Sequence, residues 1–227
     1  MYTFTLLCAS LLPGLAWVWF FYRQDRGEKE PKALILWTFL AGMAAVVPAA
    51  ALEAPFRPWL GGEGGDLGRF VATLVVVGLG EEGLKLLATY GAAFRRSAFN
   101  EPSDGIIYAV TASLGFAALE NLLYAHSFGL GVAPVRTVVT SLAHASFGGV
   151  AGLYLGAAKV RGGVGTADVF KGLAAAALLH GLYDYFILSR LVHPLVSLAL
   201  VYATYRFITS RMRAWGAPVR GGPREGG

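Results

Sequence analysis

Cysteine is almost absent from the chain, and charge is scarce. The 227 residues include a single cysteine, Cys8, which excludes an internal disulfide framework and any cysteine-based zinc site. Charged residues make up only 15% of the chain, against about 25% in a soluble domain. Hydrophobic residues make up 56%, and mean hydropathy is +0.56. That balance describes a membrane protein. The first apolar run, residues 3–22, has no basic residue ahead of it and no small-residue cleavage site behind it, so it reads as a retained anchor. No nucleic-acid motif accompanies the net charge of +5, and a nucleic-acid partner is not expected.

What the chain does hold is a series of apolar runs, at residues 3–22, 33–52, 70–94, 104–126, 134–158, 167–188 and 193–209. Their lengths predict an all-α, polytopic transmembrane bundle of about seven spans. Residues 23–32 form a dense charged loop, Pro48 is placed to kink the second span, and residues 53–68 read as an irregular, water-exposed loop rich in Pro and Gly. Gly148, Gly152 and Gly156 recur four apart, a stripe that lets a neighbouring helix approach closely. Residues 214–227 read as a disordered tail rich in Gly, Pro and Arg. Fourteen Lys and Arg fall on one side of the alternating loops and four on the other. The positive-inside rule then puts the N-terminus outside and the C-terminus in the cytoplasm.

The third span carries Glu81, Glu82 and Lys85 within five residues. Charges at that depth are costly, roughly 2.5–3.5 kcal/mol each on insertion scales. Glu81 and Lys85 are four apart and share a helix face, whereas Glu82 is turned about 100° away. One carboxylate is thus expected to be neutralised by Lys85 while the other points elsewhere. Further polar residues lie in Glu120 and Asn121, His144, His180 and Asp184. Counted from the outer span ends, Glu81, Glu120, His144 and His180 fall within roughly 8 Å of one another along the membrane normal. Asn121 reads as a helix–helix hydrogen bond, Asp184 as a residue orienting His180 from one turn away, and Asp104 as an N-terminal cap. Three carboxylates and two imidazoles at one depth exceed what packing asks for.

Two chemistries fit. Either Glu120, His144 and His180 hold a divalent metal, zinc by ligand type, which polarises a carbonyl and acidifies a bound water. Or no metal is present, a glutamate acts as general base and a histidine helps to hold the oxyanion. A serine or cysteine nucleophile is not expected, since Cys8 lies in another span and Ser113 and Ser146 sit in no nucleophile elbow. A different class, the proton-coupled transporter, also places Glu, His and Asp inside membranes, but the odd span count and the lack of an inverted repeat speak against it.

The motifs resemble those of a known family. Glu81-Glu82-Gly83-Leu84-Lys85 matches EExxK, Phe116-Ala117-Ala118-Leu119-Glu120 matches FxxxE, and His180-Gly181-Leu182-Tyr183-Asp184 matches HxxxD. With Glu28-Lys29-Glu30-Pro31, Glu101-Pro102-Ser103-Asp104-Gly105 and His144-Ala145-Ser146-Phe147, they resemble the PrsW family of bacterial intramembrane proteases over the first six spans. The resemblance implies one protease domain over residues 1–213 in the cell membrane. It implies an endopeptidase cutting single-pass membrane proteins near the outer face, as in the first cut of an anti-sigma factor during envelope stress. It further implies Glu81, Glu82, Glu120, His144, His180 and Asp184 as catalytic candidates, with Lys85, Asn121 and Asp104 in support. A more distant similarity to the CAAX-prenyl and bacteriocin-immunity proteases would make Glu81 the base.

Overall fold

In the computed structural model, residues 2–129, 133–162 and 166–215 are described, and every regular element among them is helical. The long helices are α1 (Tyr2–Gln24), α2 (Lys32–Glu53), α6 (Pro102–Phe128), α7 (Ala133–Val160), α8 (Thr166–Ser189) and α9 (Pro194–Trp215). Between α2 and α6 run α3 (Arg57–Gly61), α4 (Gly65–Val71) and α5 (Gly80–Thr89). Five helical stretches are long and apolar enough to cross a membrane. The expected third span is helical throughout, but π-helical turns at Ala72–Leu79 and Tyr90–Phe94 flank α5. Of the expected tail, residues 216–227 lie outside the described residues, and α9 itself reaches Trp215.

The expected irregular loop at 53–68 is largely helical instead. Pro55 and Pro58 stand in the first turns of two short helices, where their fixed φ is an advantage and no N–H is lost. Gly62 then stops α3 at φ 104°, a conformation only glycine adopts without strain. Pro48 does not end α2, which continues to Glu53.

The bundle is organised around α6. Of the apolar part of α6 and of α7, 78% is buried, against 22% for α1 and 33% for α8. The outer helices therefore present apolar faces to lipid, with Trp19, Trp37, Val47 and Leu87 exposed. Glycine sets how close the helices come. A Cβ on Gly152 would stand 2.2 Å from the Gly105 carbonyl oxygen, and one on Gly156 2.2 Å from that of Pro102, so the small-residue stripe of α7 meets the start of α6 backbone to backbone. α6 begins with a reciprocal capping box: the Glu101 side chain accepts from the N–H of Asp104, and Asp104 Oδ2 accepts from the N–H of Glu101 at 2.6 Å.

The charged segment between α1 and α2 is folded onto this core. Asp25 and Glu30 are buried; Tyr108 of α6 donates to Glu30 Oε2, and Tyr22 donates to the Glu30 carbonyl. Burial pushes the Glu30 carboxyl up to about 8, the Tyr108 hydrogen bond pulls it back in part, and hydrogen bonding and repulsion from Asp104 add to the rise. Asp25 is raised as well, again by burial first.

Candidate active site

Lys85 lies at the centre of the polar residues within the bundle. Its Nζ donates to Glu81 Oε2 at 2.8 Å and Glu82 Oε1 at 3.0 Å, and stands 2.8 Å from His144 Nδ1. An ammonium has three donors and no acceptor, so all three are used and His144 Nδ1 must be unprotonated. The expectation that Lys85 serves one glutamate is corrected here. On a helix the i−3 and i−4 positions both flank residue i, and the ammonium bridges them. Phe116 of the FxxxE segment lies beneath this cation, 4.2 Å from Nζ to the ring centroid.

With Nδ1 occupied, a neutral His144 carries its proton on Nε2, which lies 2.9 Å from Glu120 Oε2, an ion-pair contact without hydrogen-bond geometry. His180 Nδ1 lies 2.8 Å from Glu82 Oε1, which can only accept, so this nitrogen carries a proton. The other nitrogen, Nε2, faces carboxylates, Asp184 Oδ2 at 3.4 Å and Glu81 Oε2 at 3.8 Å. The two imidazoles meet edge to face with centroids 5.0 Å apart, and Phe147 stacks on His180. Close passage of α8 against the π-helical turn makes this possible. A Cβ on Gly78 would fall 2.4 Å from the Ala177 carbonyl, and one on Gly181 2.7 Å from Leu74 Cα.

Glu81, Glu82, Lys85, His144 and His180 are buried, whereas the side chains of Glu120 and Asp184 are 30% and 26% exposed. The site thus has a sealed floor and a mouth formed by two carboxylates. A third belongs to Glu53, the last residue of α2, which is within electrostatic reach of Glu81, Glu120 and Asp184. Glu53 is not legible as a site residue in the sequence, because an acid at a span end beside a polar loop looks interfacial.

Asn121 bridges α6 to α7, accepting from Thr140 Oγ1 at 3.1 Å and donating to Ser141 Oγ at 3.4 Å. Asp104 is not brought to the cluster; it caps the far end of α6, about 24 Å from Glu120 by helical rise. Glu120 also stands outside the tightest donor set. Among the described residues, Glu81, His144 and His180 have donor atoms that all lie within 4.8 Å of one another; Glu120, expected beside the two histidines, is not part of that group.

The chain matches the family described as PrsW family intramembrane metalloprotease over residues 30–215. It is 34% identical to Protease PrsW of Shouchella clausii, covering 93% of this chain and 92% of that protein. It is 33% identical to Protease PrsW of Bacillus subtilis over 80% and 82%, and 32% identical to that of Clostridioides difficile over 82% and 79%. No solved structure matches it.

Proposed function

Since the chain belongs to the PrsW family of intramembrane metalloproteases, and so is a multi-pass peptidase of the plasma membrane, we propose that it cuts single-pass membrane proteins near the outer face and holds one zinc ion on Glu81, His144 and His180. The anti-sigma-factor type of substrate belongs to this reading. The observation that carries it is the approach of those three residues' donor atoms within 4.8 Å inside a bundle core. Imidazole with carboxylate suits zinc. Glu82 Oε2 is buried without a hydrogen-bond partner, and carboxylates outnumber the Lys85 ammonium, so a divalent cation balances the local charge.

When bound, the ion would polarise the scissile carbonyl and acidify a water. The chain's own residues do the remainder. Glu82 Oε1 takes the Nδ1 proton of His180 in a hydrogen bond, which fixes the tautomer and aims Nε2 at the site. Lys85 holds Glu81 and Glu82 in register. For His144 to serve as a ligand its Nε2 proton must leave, because Nδ1 belongs to Lys85; metal uptake is therefore coupled to proton release. Glu120 is at hydrogen-bond distance from that nitrogen and open to solvent. It receives the proton of the attacking water and returns it to the departing amine nitrogen.

The test is metal content alongside cleavage of a single-pass reporter, for protein purified in mild detergent without chelators. Wild type should hold about one zinc per chain and cut. His180→Ala should lose both, and Glu120→Ala should keep zinc and lose cleavage. Cleavage by metal-free wild type would overturn the zinc assignment, and loss of zinc in Glu120→Ala would return Glu120 to the ligand set. Cleavage of multi-span reporters alone would overturn the substrate reading.

A further inference from the structure

α1 and α2 both pack along α6 but scarcely touch each other. Between them lies a groove of about 440 Å³, lined by Leu15, Val18, Trp19 and Arg23 of α1 and by Lys32 and Ile35 of α2. Most of its lining is aliphatic or aromatic, and its two cations sit at adjoining helix ends. Arg23 lies over the Trp19 ring, 4.9 Å from guanidinium carbon to centroid, and both Arg23 and Lys32 are exposed. Among the described residues neither has an ion pair with an acid. The acids of the adjoining loop do not supply one. Asp25 accepts from Gly27 N–H, Glu30 is held by Tyr108, and Glu28 is exposed without pairing to either cation. Lys32 is also the first residue of α2, whose preceding Pro31 offers no side-chain acceptor to the free N–H groups.

An apolar slot ending in two uncompensated cations, on the side where Lys and Arg are concentrated, is complementary to a chain-bearing anion. We propose that this groove binds one anionic phospholipid, with an acyl chain along Leu15, Val18 and Ile35 and its phosphate on Arg23 and Lys32. The Lys and Arg asymmetry assigns that lipid to the inner leaflet. The two cations favour a net-negative headgroup over a zwitterionic one, whose own ammonium cancels the attraction. At the usual strength of a basic residue near a charged bilayer surface, two of them give roughly a thirtyfold preference.

The full-length protein in mild detergent would be titrated with brominated-acyl phosphatidylglycerol and, separately, brominated phosphatidylcholine. The readout is the quenching of Trp19, taken as the difference from Trp19→Phe. Half-quenching should need roughly thirtyfold less phosphatidylglycerol. In the double variant Arg23→Gln, Lys32→Gln the two lipids should converge, whereas Arg211→Gln, outside the groove, should keep the preference. Size and helix content would confirm that each variant is folded. Equal quenching by both lipids in wild type would overturn the proposal, as would a preference that survives the double variant. Crosslinking of α1 to a second copy, with no quenching by either lipid, would give the groove to a dimer and overturn it too.

Discussion

Lys85 satisfies two glutamates and one histidine from within the membrane, and its removal leaves all three facing one another. Breaking a buried pair in this way costs about 3–5 kcal/mol. Lys85→Met should therefore lower the thermal unfolding midpoint in detergent and abolish reporter cleavage; an unchanged midpoint would mean that the glutamates find another counter-charge. Glu30 makes a prediction of opposite character. Its carboxyl ordinarily titrates near 4.5 and is held up at about 8 in the fold. The native state thus binds the extra proton, and the stability this contributes is full below the ordinary value and lost as pH rises through about 8. Glu30→Gln should flatten the fall in unfolding midpoint between about pH 5 and about pH 9, and an equally steep fall in the variant would remove Glu30 as its source. The charged triplet was legible in the sequence because an apolar run makes any charge conspicuous. The bridging of both glutamates was not, because helical spacing allows i−3 and i−4 equally.

α5 presents its motif between two π-helical turns, a distortion common at functional sites. Nothing in the residues 72–79 announces it; the reason lies across the interface, where Gly78 meets the backbone of α8. Gly78→Val should push α8 away, destabilise the protein by about 1–3 kcal/mol and separate His180 from Glu82, reducing cleavage strongly. Gly83 in the same helix has nothing within 4 Å of a Cβ position, so Gly83→Ala should instead stabilise by about 0.5–1 kcal/mol with cleavage retained. Equal damage from both would show that neither the Gly78 contact nor helix propensity governs this segment. The glycine stripe of α7 was readable as packing because its four-residue period is a helix face. Its partner was not, because spacing within one helix says nothing about which neighbour approaches.

For the whole molecule, the bundle class and the convergence of Glu81, Glu120, His144 and His180 followed from span counting, since membrane thickness puts residues of known offset at known depth. The helical folding of residues 54–61 and the reach of Glu53 into the site did not follow, because neither depends on depth. If one ion joins α5, α7 and α8, chelation should end cleavage, zinc should restore it, and the unfolding midpoint should fall without loss of helix; full activity after exhaustive chelation would defeat that expectation. The arrangement around Lys85 also bears on how the chain is made. The ribosome delivers α5 to the membrane before α7 and α8 exist, so His144 and His180 are not yet there to help. Lys85 and its two glutamates lie within five residues of one helix, so α5 enters the bilayer carrying its own counter-ion, with one net charge to shelter until the later helices arrive.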